Sequence, residues 1–383
     1  MSSATTDKEK AINAFEKYFR NTGEFKNLEL TLSRIEGALK EAGFREESLG
    51  EIIHVVGTNG KGSTCRFTAD MLNACGYKTA LFTSPHILKT NERIVFCGAD
   101  ISDADFDRIF ESSVPLIQKF RLSYFEALTL CAFLYFSELK PDFSVIETGM
   151  GGRFDSSNVL NVKLPVITAI AKDHAAFLGN SIYRIADEKL AIIKANKTVM
   201  LGMNTPSITD YILKTLADKS IIPTEKACGA VPAPFGQNLA LAKNIVKYLL
   251  GRLPENFVPV LPPCRQERIG RFILDGAHNP HGMHELVKSM DSEKIGSVLI
   301  SSTADRDISK LTALLSAKFR NIVITEIPGN ERSLRLPLNI EGTIQEKDTE
   351  KALNIAVELA GNADILVSGS LYLCACVKKL ISN

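Results

Sequence analysis

The chain has no excess of either charge and no long apolar run, and its first residues lack the apolar core expected of a signal peptide. Its 383 residues hold 45 Lys and Arg against 44 Asp and Glu. That balance argues against a general nucleic-acid or membrane-surface binder. No apolar run reaches the ~20 residues that span a bilayer, and the first stretch, MSSATTDKEKAINAF, has no apolar core of a signal peptide. These absences favour a cytoplasmic enzyme with no nucleic-acid or membrane partner.

Closely spaced cysteine pairs are also nearly absent. Of eight cysteines only Cys374 and Cys376 are near each other, and no second pair completes a zinc site. We expect reduced and mostly buried thiols. The length exceeds what one hydrophobic core usually serves, so two domains are expected.

What the chain does have is a glycine-rich turn between an apolar strand and a helix. Residues 52–64 read IIHVVGTNGKGST, and residues 68–75 continue with apolar side chains at helical spacing until Gly76. Glycines let the backbone fold tightly and present N–H groups to an anion, while the helix dipole adds to the attraction. Lys61 would supply a full charge and Ser63 a hydroxyl for magnesium.

The turn departs from the usual phosphate-loop pattern because Gly62 separates Lys61 from the hydroxyl residues. A glycine-rich surface turn with a solvated lysine is the alternative. The strand before the turn and the helix after it favour a nucleotide site.

Strands alternate with helices along the whole chain. This order predicts an α/β fold, with a larger N-terminal P-loop-type domain built on a mostly parallel sheet and a smaller C-terminal Rossmann-like α/β domain. The proline-rich residues 254–263 read as a linker, giving domains 1–262 and 263–383. Helices are expected over 28–43, 68–75, 124–139 and 238–250, and strands over 52–56, 79–82, 143–146, 165–171, 271–274, 298–301, 322–325 and 365–368.

Polar residues follow three of the expected strands, where parallel sheets bind ligands. They are Ser84, Glu147 and His174. A carboxylate ending an apolar strand is costly unless it is paired, and magnesium shared with phosphates would pair it. The alternatives are a salt bridge from Glu147 to a lysine and an ordinary core or surface role for His174.

Six motifs then occur in one order from about residue 28 onward. They read HVVGTNGKGST, TSPHILKTNERI, SYFEALT, ETGMGGRFDSSNV, AKDHAAFLGNSIYRIADEKLAII and ILDGAHNPHG. Together they resemble the folylpolyglutamate synthase and dihydrofolate synthase family of the Mur ligase superfamily, whose members form amide bonds with ATP. The resemblance implies ATP and Mg²⁺ as cofactors, dihydropteroate or folate and L-glutamate as substrates, and a monomer.

The resemblance also implies roles for individual residues. Lys189 matches a lysine that family members carry as a carbamate, which forms only from the neutral amine; unmodified, it would be one charge on a helix. The triphosphate would be held by Gly57, Thr58, Asn59, Gly60, Lys61, Gly62 and Ser63. Magnesium would be held by Ser63, Ser84, Glu147 and His174. The nucleotide would also be contacted by Asn238, Arg265 and Asp275.

Two further segments match the family's pterin site. They are Ser123, Tyr124, Phe125 and Glu126, and Phe154, Asp155 and Ser156. Core packing is the alternative for the aromatic residues, and a helix N-cap is the alternative for Asn238. The family usually has Pro-Gly-Arg where this chain has Pro263-Cys264-Arg265, and residues 197–237 form a shorter stretch than the family's.

The implied reaction is ATP-dependent addition of glutamate to dihydropteroate, and to folates, through an acyl phosphate, with Lys61, Glu147, His174 and carbamylated Lys189 as the catalytic set. No side-chain nucleophile is needed, because charge neutralisation and positioning carry phosphoryl transfer. His278 or His281 could take the proton from the amine. The alternatives are a Mur-type ligase acting on another carboxylate and an ATP-binding regulator without ligase activity.

Overall fold

The computed structural model describes residues 14–19, 30–173, 179 and 181–382. It divides into two compact units. Unit 1 contains residues up to 170 together with 181–227 and 238–258, and unit 2 contains 171–180, 228–237 and 259–383. Within the described residues, no helix combines the length and the apolar character needed to cross a bilayer.

Unit 1 is built on an eight-stranded sheet in the order β4-β3-β2-β5-β1-β6-β7-β8. Only the β2–β3 and β3–β4 pairs are antiparallel. The strands are β1 Glu51–Val56, β2 Thr79–Phe82, β3 Ile94–Phe96, β4 Ala99–Asp100, β5 Phe143–Glu147, β6 Leu164–Ile167, β7 Thr198–Leu201 and β8 Ser220–Pro223. β1 and β5 are buried along almost their whole length, as expected of central parallel strands that are covered on both faces.

Helices of unit 1 cover this sheet. α3 packs against β1, β2 and β5. α5 packs on the opposite face, where its Phe133 and Phe136 join Ile52, Phe82 and Ile146 in one apolar cluster. The helices are α1 Ala14–Phe19, α2 Ser33–Glu41, α3 Lys61–Ala74, α4 Asp103–Lys119, α5 Tyr124–Leu139, α6 Ile182–Leu190, α7 Pro206–Thr215 and α8 Phe235–Leu250, of which unit 1 contains the part from Asn238 onward.

Unit 2 has its own six-stranded sheet in the order β13-β12-β11-β14-β10-β9, parallel except for the β9–β10 pair. Its core is a separate cluster around Val298, Ile300, Leu315 and Leu366. The elements are β9 Glu267–Ile269, β10 Phe272–Leu274, α9 Pro280–Ser289, β11 Ile295–Ile300, α10 Ile308–Ser316, β12 Asn321–Ile324, β13 Thr343–Gln345, α11 Thr349–Ala360, β14 Asp364–Ser368 and α12 Leu371–Ile381.

The predicted α/β architecture with two parallel-rich sheets is confirmed. Three of its details were wrong. β6 ends at Ile167, not at residue 171, because Ala169 instead bridges to Asn59 of the glycine-rich turn. α2 covers only Ser33–Glu41 of the expected 28–43, of which residues 28 and 29 lie outside the described residues. α8 begins at Phe235, three residues before its predicted start.

Candidate active site

The glycine-rich turn connects β1 directly to α3. Thr58 and Asn59 donate their backbone N–H groups to the carbonyl of Ala169, at 2.7 and 3.2 Å. The intrahelical bonds begin with the N–H of Thr64, which donates to Gly60. The first N–H groups of a helix have no intrahelical acceptor and attract anions. The amides of Lys61, Gly62 and Ser63 are therefore the backbone donors that helix geometry leaves for a phosphate.

Close approach explains two of the glycines in this turn. A Cβ atom at Gly57 would lie 1.9 Å from Oγ1 of Thr168. Gly60 has a φ of +88°, and a Cβ atom there would lie 2.2 Å from Oδ1 of Asn238. Asn238 lies inside α8 rather than at its N-cap, and its side chain closes over the turn. The helix N-cap alternative for Asn238 is wrong.

We expect Gly60→Ala to weaken nucleotide binding and to lower stability by more than the ~1–2 kcal/mol that left-handed backbone costs an alanine. Gly76→Ala is the matched control, because Gly76 has a φ of +91° but no atom within 4 Å of its Cβ position. Urea unfolding and nucleotide titration of both variants separate backbone strain from the clash with Asn238. Equal losses of stability, with unchanged nucleotide affinity for Gly60→Ala, would contradict this assignment.

Glu147 is the centre of the polar group at the end of β5. It is buried, Oε2 accepts a hydrogen bond from the backbone N–H of Ser84 at 3.0 Å, and Oε1 lies 3.9 Å from Nζ of Lys61. A Cβ atom at Gly62 would lie 3.3 Å from Oε2. The glycine that breaks the usual phosphate-loop pattern is thus the residue that faces this carboxylate. The turn, the end of β2 and the end of β5 meet here.

This group suits a magnesium ion chemically. Magnesium prefers oxygen ligands and keeps several waters, so one carboxylate with the hydroxyls of Ser63 and Ser84 fits its requirements. Among the residues that the structure describes, no three His, Cys, Asp or Glu side chains form a metal-binding group. Predicted ligand His174 lies outside the described residues. The salt bridge to a lysine, given as the alternative for Glu147, is present, because Nζ of Lys61 lies within ion-pair distance of Oε1.

Lys189 is buried on α6, and its Nζ donates to the carbonyl of Gly57 at 2.9 Å. Sequence spacing alone gave no reason for Lys189 to reach the turn, because 132 positions separate the two residues. A buried ammonium is costly, and losing its proton reduces that cost. Lys189 is only 5% exposed, so it is not a surface residue of α6, and its carbamylation stays a prediction.

Ser123 and Glu126 form a capping box at the start of α5. The backbone N–H and the hydroxyl of Ser123 both donate to Oε2 of Glu126, and the N–H of Glu126 donates back to Ser123 Oγ at 3.4 Å. Arg34 of α2 also donates to both carboxylate oxygens, at 3.2 and 2.7 Å. This arrangement fixes the helix start.

The two aromatic residues next to this cap have different environments. Tyr124 packs edge-on against Phe15 with ring centroids 5.0 Å apart, and Arg93 lies over its ring at 5.5 Å. Phe125 is partly buried and touches Gly149, where a Cβ atom would lie 2.6 Å from its ring. Tyr124 thus packs in the core, Phe125 lies beside the loop that follows Glu147, and a pterin contact of either residue stays a prediction.

Asp155 organises that loop. Its Oδ2 accepts the backbone N–H groups of Gly149 and Met150 at 2.8 and 3.0 Å, and its Oδ1 accepts from Ser157. Ser156 shares a hydrogen bond with Thr129 of α5 at 2.6 Å. Phe154 is 42% exposed, so its ring is available to stack on a flat ligand. Burial raises the pKa of Asp155, although four donors oppose that shift.

Arg265 and Asp275 lie near each other in unit 2. Asp275 follows β10 and accepts the N–H groups of Gln266 and Ala277 at 3.0 and 2.8 Å. Cys264 has a φ of +54°, in the left-handed region that favours glycine, the residue that the motif resemblance led us to expect there. Cys264 is therefore strained but keeps the turn.

We expect the Asp275 carboxyl to make stability fall as pH rises. Burial raises its pKa from 3.8 to about 6 in spite of the opposing charge of Arg265. The folded state therefore holds the proton more tightly, and the free energy of unfolding decreases between about pH 4 and pH 6. Urea unfolding at several pH values, with Asp275→Asn as the control, measures this slope. An equal slope in both proteins would rule out Asp275 as its source.

A second polar group in unit 2 surrounds Asp173. Asn279 donates to its Oδ2 at 3.0 Å, His278 Nε2 lies 3.4 Å from the same oxygen, and Arg306 lies 3.8 Å from Oδ1. Nδ1 of His278 donates to the carbonyl of Gly276, and burial lowers the pKa of this histidine more than Asp173 raises it. Nε2 of His278 thus faces the Asp173 carboxylate, and the role of His278 as proton acceptor stays a prediction.

Sequence reasoning missed polar groups at the end of β11. The hydroxyls of Ser301 and Ser302 and Nε of Arg306 are buried without a hydrogen-bond partner among the described residues. The run Ser301-Ser302-Thr303 follows an apolar strand, the same signal that drew attention to Glu147. Unpaired buried donors of this kind need an explanation, such as a polar ligand.

Comparison with known proteins assigns a class and then a family. A model of the Mur ligase middle domain matches residues 55–221. The dihydrofolate synthase/folylpolyglutamate synthase of Bacillus subtilis (strain 168) is 30% identical over 405 residues, covering 91% of this chain and 94% of its own. The chain therefore belongs to the dihydrofolate synthase/folylpolyglutamate synthase family, as its motifs predicted.

Solved structures of proteins from the same family are similar to this chain. The bifunctional folylpolyglutamate synthase/dihydrofolate synthase of Yersinia pestis, complexed with AMPPNP and a Mn ion, is 26% identical with a TM-score of 0.83, covering 97% of this chain and 98% of that one. Escherichia coli FolC in complex with DHPP and ADP is 26% identical with a TM-score of 0.82 and the same coverage of 97% and 98%.

Proposed function

We propose that this chain is an ATP-dependent ligase that adds L-glutamate to 7,8-dihydropteroate and to folates. Family membership supports the ligase class and the use of ATP with a divalent metal. The observation that carries the proposal is the meeting of Lys61, Ser84 and Gly62 around the buried carboxylate of Glu147 at the N-terminus of α3.

The reaction proceeds in two steps. A carboxylate oxygen of the pterin substrate attacks the γ-phosphorus of ATP, the bond to the bridging oxygen breaks, and ADP leaves. The glutamate amine then attacks the acyl carbon of the acyl phosphate, phosphate leaves, and the amine gives up a proton. Lys61 and the amides at the start of α3 offset charge on the transferring phosphoryl group. Magnesium, held by Glu147 with Ser63, Ser84 and His174, would neutralise further phosphate charge.

The remaining assignments belong to the same proposal. Arg265, Asp275 and Asn238 contact the nucleotide, and the loop carrying Phe154 contacts the pterin. The enzyme is a cytoplasmic monomer, and its domains are 1–262, which binds ATP, and 263–383, which serves glutamate ligation. No helix or strand occurs between Leu250 and Glu267, all of which the structure describes, and this supports the boundary.

Phosphate release from ATP tests the function. The assay is run with dihydropteroate, with a tetrahydrofolate and with neither, each with and without glutamate. We expect release only when a pterin substrate and glutamate are both present. Phosphate release that needs glutamate together with a carboxylate substrate other than a pterin compound would favour a different Mur-type ligase. ATP binding or turnover indifferent to pterin and glutamate would favour a regulator and refute the proposal.

A further inference from the structure

A buried histidine next to the glycine-rich turn has no role in the proposed chemistry. His54 lies in the middle of β1, paired with Ile146 of β5 and Pro165 of β6, and is fully buried. Its Nε2 lies 2.8 Å from Oγ of Ser157, and its Nδ1 has no hydrogen-bond partner among the described residues. An unpaired buried polar atom costs stability that an apolar side chain would avoid.

The hydrogen bonds that Ser157 makes to Asp155 identify the donor in the bond between His54 and Ser157. The Ser157 hydroxyl contacts Oδ1 of Asp155, which also accepts the Ser157 N–H at 3.1 Å. An ionised carboxylate only accepts, so the hydroxyl donates to Asp155 and its oxygen accepts from His54. His54 must then carry its proton on Nε2, which leaves Nδ1 as a bare acceptor. Burial lowers the pKa of His54 to about 3, so the ring stays neutral.

The chain of bonds ends at the loop after Glu147. Asp155 Oδ2 holds the N–H groups of Gly149 and Met150. Gly149 lies against the ring of Phe125, and exposed Phe154 directly precedes Asp155. Asp155 is therefore one of the groups that hold this loop, and Ser157 links its Oδ1 to His54 of the central strand.

We propose that His54 is a positioning residue for the pterin-binding loop, acting through Ser157 and Asp155 by an Nε2–H tautomer. This rests on the proposed function, in which that loop contacts the pterin. The glycine-rich turn is held separately by the carbonyl of Ala169. Breaking the chain of bonds should thus affect the pterin substrate far more than ATP.

Steady-state kinetics on the full-length enzyme tests this positioning role. We expect Ser157→Ala to raise KM for dihydropteroate about tenfold, equivalent to ~1.4 kcal/mol, with kcat and KM for ATP within about twofold of wild type. His54→Asn should raise KM for dihydropteroate in the same way, because its amide is too short to reach Ser157. His54→Gln should have a KM for dihydropteroate close to that of wild type, because its amide extends to the position of Nε2. Equal rises in both KM values, or lower stability alone, would overturn the proposal.

A double variant tests whether the residues act as one unit. His54→Asn added to Ser157→Ala should cost almost nothing further, because the bond is already broken. Additive losses would contradict the proposal. If the His54 variants fail to fold, the KM values of Ser157→Ala for dihydropteroate and for ATP test the proposal on their own.

Two measurements without substrate separate this proposal from the proposed function. Imidazole ¹⁵N shifts of wild-type enzyme should show the Nε2–H tautomer of His54, and the Nδ1–H tautomer would overturn the proposal. The amides of Gly149 and Met150 should exchange faster in Ser157→Ala than in wild type, and unchanged exchange would also overturn it. A wild-type enzyme with no dihydropteroate-dependent turnover would instead refute the proposed function, whatever these two measurements show.

Discussion

Glu147→Gln is expected to abolish turnover while leaving the fold intact. Glutamine has nearly the same volume, and its carbonyl oxygen can still accept the Ser84 N–H that now binds Oε2 at 3.0 Å. What it loses is the negative charge that would hold magnesium and that lies 3.9 Å from Lys61. We expect kcat to fall about a hundredfold or more, the cost typical of removing one preorganised electrostatic group.

The measurement is phosphate release over a magnesium titration, with thermal unfolding as the check on the fold. Glu138→Gln is the matched control, since Glu138 makes an exposed ion pair with Arg108 at 2.7 Å. Exposed pairs contribute little, so this control should behave as wild type. A Glu147→Gln enzyme with a near wild-type rate at limiting magnesium would show that the metal assignment is wrong.

Lys189→Ala is expected to lower activity by roughly tenfold to a hundredfold, the range for groups that support a metal site from its periphery. Small carboxylates such as acetate should restore part of it. Two effects combine here. The substitution removes the hydrogen bond to Gly57 O at 2.9 Å, and it removes the carbamate anion that we propose forms on the buried amine.

Lys194→Ala provides the control for the first effect. Lys194 also donates to backbone carbonyls, those of Asn158 and Leu160 at 2.7 and 2.9 Å, but it has no predicted role with the metal. It should lose stability without any carboxylate rescue. Intact-protein mass spectrometry of active wild type should show the added mass of one carbon dioxide. A plain, reactive amine at Lys189 in active enzyme would contradict the carbamate.

The central elements of the fold were predictable because their local signals are strong. β2 and α5 have the bounds that alternation and apolar spacing predicted. β1, β5, β10, β11, β12 and β14 are within a few residues of prediction. All are long or apolar, and Gly76, predicted as the C-terminal stop of α3, lies two residues beyond its end with a left-handed φ of +91°.

Elements at the edges of the sheets were not predictable. β3, β4, β9 and β13 have two or three residues each, too short for a periodic signal. β6 ends early because a tertiary contact, Ala169 with Asn59, competes with strand extension. Tertiary context overrides local preference in such places.

The residues of the candidate site also fall into those that could be predicted from sequence and those that could not. Residues next to strand ends were found from sequence, because parallel strands bring their carboxyl ends together. Contacts across more than a hundred positions were not, such as Ser157 with His54 and Lys189 with Gly57, since no local pattern encodes them. Gly62 was noticed only as a misfit, and its reason became visible once Glu147 was placed beside it.

The register between β1 and β5 also limits where insertions and deletions can be tolerated in this chain. Val55 pairs with Glu147, so the carboxylate stands level with the last residues before Gly57. Side chains alternate between the two faces of a strand, so one inserted residue in β5 would turn the carboxylate to the opposite face. Insertions and deletions should therefore be confined to loops away from these two strands, because their register fixes the position of Glu147 relative to the glycine-rich turn.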